Sequence, residues 1–400
     1  MRCSAAATPK KNRASRHFYF LTLLIYLPVF FVLTIIQAHW YGYLAASLSF
    51  ALLLYMRQSP LWQGFRIPLC FAMAFLLAFS GLFASRPQKD VSLTGQIGRE
   101  TLRLFLRLPV DENIRSGHFL GEADAWYVPQ GHTLHSIQLP HCSADLLLPA
   151  KNNGRAVLQL HGGAFVSGMN NLYRTLAKRY SEYTAGGTVL TPDYRLWPAF
   201  SYPAQQEDAM DAWLYLTQDL GFLPENIVIA GDSAGGNLAL SLCLSLRENG
   251  LPLPRAIVCL SPWADLSNSG PSHIQNATAD PTFGLPEDAY NGEPLGVPST
   301  YADRLDPKDP FVSPSFGDYN NFPPMLLQVG SDEILLSDSE MIYQNALQHG
   351  VDCTLTVYAG MFHMFQASLD LLPESKQAWE EISLFFQRVY AAPPHPLPQK

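Results

Sequence analysis

NIVIAGDSAGGNLAL, residues 226–240, passes from a β-branched apolar run through a turn of small residues into an Ala/Leu-rich segment. Its centre, Gly231-Asp232-Ser233-Ala234-Gly235, fits G-x-S-x-G, a pattern that average composition would produce roughly 0.1 times in a chain of this length. The context sharpens it. A strand over Asn226–Ala230, a tight turn and a helix opening at Ala234 are what a nucleophile elbow requires. Small flanking residues let the backbone turn sharply and hold the Ser233 hydroxyl clear of the fold.

Further runs of the same kind lie on either side. Arg155–Leu160, Gly187–Leu190, Ala256–Leu260, Met325–Val329 and Cys353–Tyr358 are short, apolar and bounded by turn residues. Longer amphipathic stretches alternate with them: Leu172–Tyr183, Ala204–Leu220, Ala234–Asn249, Asp338–Gln348 and Glu374–Val389. Continuous apolar strands separated by helices predict a parallel sheet covered on both faces, an α/β, doubly wound fold. Ser337-Asp338-Ser339-Glu340 reads as a capping box opening the fourth of these helices. Residues 151–390 form the expected core, 86–150 a linker and N-terminal cap region, and 391–400 a Pro-rich tail. Within 86–150, Gly98–Leu108 is an apolar-rich segment that reads as a helix lying over the site as a lid, or as a linker helix resting on the membrane.

A serine hydroxyl needs a base to become a nucleophile. Of 11 histidines, His363 fits best: it follows the Cys353–Tyr358 strand directly, on a loop at a strand's C-terminal end, where such sheets place their sites. The loop after Met325–Val329 supplies two carboxylates, Asp332 and Glu333, and either could orient an imidazole. The order serine, acid, histidine is the one this fold uses. After the first core strand comes His161-Gly162-Gly163, whose N–H groups, with that of Ala234, could stabilise an oxyanion.

Composition excludes several classes. With 48% apolar residues and a net charge of −8, neither a disordered chain nor a nucleic-acid binder fits. Six scattered cysteines without a CxxC disfavour a disulfide scaffold or a zinc site. The charge is unevenly placed. Residues 1–85 hold seven Lys/Arg and no Asp or Glu, which leaves 19 basic against 34 acidic residues beyond. Phe18–Met56 carries no formal charge over 39 residues, too long for one bilayer crossing. Two spans are expected, about Phe18–Ile36 and Trp40–Met56, with a third at Ile67–Ala84. Residues 1–85 thus read as a membrane anchor. With three spans, the bias of basic residues places the N-terminus in the cytoplasm and residues 86–400 outside. The expected localisation is the cell membrane, multi-pass, with lipid contacts through residues 18–84.

The chain resembles the hormone-sensitive-lipase-like family of α/β-hydrolases, bacterial GDSAGG esterases in particular. HGGAF (161–165), DYRL (193–196), GDSAGG (231–236), SPWADL (261–266), DPFVSP (309–314), PPMLLQVGSDEILLSDS (323–339) and GMFHMFQ (360–366) occur in the family's order. The resemblance implies an α/β-hydrolase fold and a serine carboxylic-ester hydrolase. Ser233 would be its nucleophile, His363 its base, and Gly162, Gly163 and Ala234 its oxyanion hole. The family's acid-x-Leu pattern falls on Glu333-Ile334-Leu335, which favours Glu333 over Asp332. Two departures stand out: Ala164 replaces a third glycine, and Trp197-Pro198-Ala199 replaces the usual Ala-Pro-Glu. The substrate implied is a small-molecule, lipid or acylated-glycan ester, with neither metal nor organic cofactor. The same triad would also serve an amidase or deacetylase on N-acyl groups, and a hydrolase-like receptor without turnover is a more distant alternative.

Overall fold

A computed structural model of the chain describes residues 90–107, 126–301 and 303–393. They fall into two compact units, residues 96–107 in one and the remainder in the other. The spans expected between residues 18 and 84 lie outside the described residues. Among the described residues no helix is long and apolar enough to cross a membrane. The segment expected to be helical at 98–108 is a helix, α1 (Leu93–Arg107), which starts earlier than anticipated.

The larger unit is built on one sheet of eight strands: β1 (His132–Gln138), β2 (Ser143–Pro149), β3 (Ala156–Leu160), β4 (Thr188–Asp193), β5 (Ile227–Asp232), β6 (Ala256–Leu260), β7 (Met325–Gly330) and β8 (Cys353–Tyr358). Their order across the sheet is β1-β2-β4-β3-β5-β6-β7-β8. The β1–β2 and β2–β4 pairs are antiparallel, and every pair from β4 to β8 is parallel. Strands β1 and β2 lie in the region expected to be linker and cap, and they extend the sheet, which thus begins before residue 151. The edge strand β1 mixes half-buried with exposed residues and so carries no apolar run, and β2 is a short Leu-rich strand closed by Pro149.

Helices α2 (Asn171–Tyr183), α3 (Ala204–Leu214), α4 (Ala234–Glu248), α6 (Leu336–Gln348) and α7 (Pro373–Ala391) flank the sheet, and a one-turn α5 (Ser272–Gln275) lies in the long excursion from 261 to 324. Successive strand residues point to opposite faces. Leu158, Ile229, Ile257 and Cys259 therefore enter one core with Leu238 and Leu242 of α4. Val157, Val228, Ala230 and Val258 enter the other, with Tyr180 of α2 and Trp379 and Phe386 of α7. Burial on both faces is why these strands read as unbroken apolar runs.

The capping box expected at 337–340 does not form. The helix starts two residues earlier, with Leu335 at its N-cap and no side-chain cap. Asp338 is buried inside the first turn and serves the neighbouring excursion: its Oδ2 accepts from the N–H groups of Ala264 and Asp265, each at 2.8 Å, and its Oδ1 lies 2.9 Å from His273 Nε2.

Candidate active site

Three strand ends meet at the C-terminal edge of the sheet. At the end of β5 the chain reverses through Ser233, held at φ 52° and ψ −121°, a left-handed conformation that costs energy for a residue with a Cβ. Main-chain contacts impose it. The Ser233 N–H donates to Leu260 O at 2.9 Å, and Ser233 O accepts from Gly236 at 3.0 Å and Trp263 at 3.0 Å. Only glycine fits beside it. A Cβ at Gly231 would stand 2.1 Å from Gly235 O, and one at Gly235 would stand 2.0 Å from Leu160 O.

The Ser233 hydroxyl is 3.0 Å from His363 Nε2, and His363 Nδ1 is 3.0 Å from Glu333 Oε2. Glu333 is fully buried, and its other oxygen accepts from the Ser261 hydroxyl at 2.8 Å and from the Gly330 N–H at 2.5 Å. Three hydrogen bonds thus satisfy both oxygens of this buried side chain. Asp332 has turned the other way, and its Oδ1 accepts from the Ser331 hydroxyl at 3.0 Å. Ser261 went unrecognised as part of this arrangement. It begins the SPWADL segment, but nothing local tells that its hydroxyl faces a carboxylate 72 positions away.

Burial disfavours the charged form of His363, yet the hydrogen bond and charge of Glu333, with Asp280 and Asp232 nearby, outweigh it. The imidazole pKa lies above its ordinary value. Such an imidazole can take the serine proton and hold it while a leaving group departs. It would stay neutral, and so competent as a base, only above that raised value.

The glycine turn after β3 runs beside the elbow. Gly163 adopts φ +118°, where a Cβ would fall 2.4 Å from Ser167 O, so this position must be glycine. A Cβ at Gly162 would stand 2.3 Å from Asp232 Oδ2. The Asp232 carboxyl accepts from the Tyr173 hydroxyl at 3.2 Å and lies near the Gly162 N–H. Desolvation pushes Asp232 up to about 7, with His363, Tyr173 and this N–H favouring its charged form. His161 carries its ring against Tyr194, 4.0 Å between centroids and nearly parallel, while the Tyr194 hydroxyl donates to His161 O at 2.6 Å. Burial pushes the imidazole down to about 4, so it is a neutral prop for the turn. Trp197, where the family pattern is broken, donates its indole N–H to Thr300 Oγ1 at 2.8 Å and so ties this rim to the excursion.

Among the described residues, His141, Asp208 and Asp211 are the one set whose ligand atoms lie close enough to share a metal ion. Asp208 already holds the Arg195 guanidinium at 2.8 Å, and a second cation there would be repelled.

Residues 157–367 match the model of the alpha/beta hydrolase fold family. The chain is 36% identical over 260 residues to an acetyl-hydrolase of Streptomyces hygroscopicus, covering 65% of this chain and 83% of that protein. It is also 36% identical over 262 residues to an esterase of Acinetobacter venetianus, covering 64% and 83% respectively. A solved esterase of the bacterial hormone-sensitive lipase family superposes with a TM-score of 0.64 at 30% identity, over 74% of this chain and 98% of that one.

Proposed function

This chain belongs to the α/β-hydrolase fold family, among the hormone-sensitive-lipase-like carboxylesterases, and from that premise we propose that it is a membrane-anchored enzyme cleaving short acyl esters through an acyl-enzyme on Ser233. The observation that carries this reading is the unbroken chain of hydrogen-bonding atoms from Ser233 Oγ through His363 to Glu333, 3.0 Å at each step.

In the first half-reaction Ser233 Oγ attacks the acyl carbon while its proton passes to His363 Nε2. Glu333 keeps Nδ1 protonated and balances the imidazolium. The carbonyl oxygen becomes an oxyanion, which the N–H groups of Gly162, Gly163 and Ala234 would receive. Each such donor is worth about 2.7–4 kcal/mol in the transition state. As the tetrahedral intermediate collapses, the C–O bond to the alcohol breaks and His363 returns its proton to the departing oxygen. Water then repeats the sequence on the acyl-enzyme: His363 takes its proton, the acid leaves, and Ser233 recovers its hydrogen.

The charge-free runs at 18–36, 40–56 and 67–84 support a three-span anchor with residues 86–400 outside the cytoplasm. The relatives' names, acetyl-hydrolase and esterase, support short acyl groups. Intact cells carrying the chain are expected to hydrolyse p-nitrophenyl acetate faster than the matched anilide, and to lose that activity when external protease digests residues 86–400. Activity surviving protease until the cells are broken contradicts the outward orientation. Faster turnover of the anilide contradicts the ester assignment in favour of an amidase.

A further inference from the structure

Between β6 and β7 the excursion over residues 261–324 carries a carboxyl group that the reaction above does not use. Asp280 is fully buried, and both its oxygens are committed to main-chain donors. Its Oδ1 accepts from the N–H of Thr282 at 2.7 Å and from that of Phe283 at 3.1 Å. Its Oδ2 accepts from the N–H of Ile334 at 2.9 Å. Ile334 follows Glu333, and the Phe283 ring packs against the His363 imidazole with 4.8 Å between centroids. One side chain thus grips the turn that carries the acid and the turn that covers the base. Asn276 adds to the grip on the acid turn, donating to Ser331 O at 2.9 Å and Glu333 O at 2.7 Å.

We propose that Asp280 is a positioning residue for hydrolysis: it fixes the acid turn and the Phe283 cover relative to each other, and its charge holds the imidazolium form of His363. This rests on the assignment of Ser233, His363 and Glu333 above. Packing alone would not select a carboxylate here. A buried anion beside a second buried carboxylate, Glu333, is costly even with three main-chain donors, and a neighbour that is cationic for part of the cycle offsets that cost further. His363 becomes that cation each time it takes the Ser233 proton. The charged groups facing His363 are Glu333 from the β7 turn, Asp280 from the excursion and Asp232 from the elbow. Those facing Asp280 are Glu333 and His363. Burial raises the Asp280 carboxyl to about 6, with Glu333 adding to the rise and the Ile334 N–H, His363 and the Thr282 N–H opposing it. Its three main-chain donors favour the ionised form.

The test is the pH profile of kcat/KM for full-length enzyme on p-nitrophenyl acetate. A negative charge near an imidazole raises its pKa, so removing the charge lowers it and lets the neutral base persist to lower pH. Asp280→Asn is expected to move the acidic limb down by about one unit and to lower kcat about tenfold through the loosened acid turn. Asp280→Glu keeps the charge and disturbs the grip, and is expected to lower kcat with the limb in its original place. An unmoved limb in Asp280→Asn, or a limb moved equally by Asp280→Glu, overturns the proposal. Ser233→Ala in the same assay separates the two levels: retained turnover there refutes the nucleophile, whatever the Asp280 variants do.

Discussion

Ser233 hangs on a turn constrained by main-chain contacts, while Glu333 and His363 are held largely by side chains of the 261–324 excursion. On the elbow side, Gly231 and Gly235 sit where a Cβ would meet backbone oxygen at 2.1 and 2.0 Å. On the other side Ser261, Asp280 and Asn276, all in the 261–324 excursion, grip the acid turn by hydrogen bonds. The two constructions fail differently. Close-packed backbone has no slack, so an intruding atom breaks the turn outright. A polar network loses one contact at a time, and the loss is felt mostly where charge develops during the reaction.

Glu333→Gln cuts most deeply on the polar side, since it removes the charge facing the imidazolium and permits the wrong tautomer of His363. A loss of about 10⁴ in kcat is expected, with the folded state intact by circular dichroism. A mild effect would show that the carboxylate is dispensable and that the two sides do not differ as described. Gly235→Ala attacks the elbow and is expected to act on stability itself, by about 1–3 kcal/mol or more in a thermal or urea melt. An unchanged melt with unchanged activity would mean that the turn has room to give. The smallest effect belongs to Asp332→Asn, which sits beside Glu333 in sequence but pairs with Ser331. Its rate should stay close to that of the parent chain, and a loss rivalling that of Glu333→Gln would reverse the assignment of the acid.

The same contrast explains what could be read without coordinates. The elbow is local, and its strand, its small residues and its helix follow one another over residues 226–240, so sequence alone suffices. The central strands were equally plain because both of their faces are buried. The edge strand β1 carries no such run, since its residues are half-buried or exposed. Asp338 was misjudged for a related reason. A Ser-x-x-Glu pattern is a local cue, but the side chain answers to Ala264, Asp265 and His273, more than 60 positions away. Ser261 and Asp280 left no local mark at all.

The central claim is that both constructions exist to place one hydroxyl, that of Ser233, for covalent attack. Its most direct test is to quench the enzyme in acid during turnover of p-nitrophenyl acetate, digest it, and locate the acetyl group by mass. An acetyl group on the peptide containing Ser233, absent from Ser233→Ala, is the predicted result. Turnover with no acylated peptide, or with the acetyl group on another residue, would contradict the account.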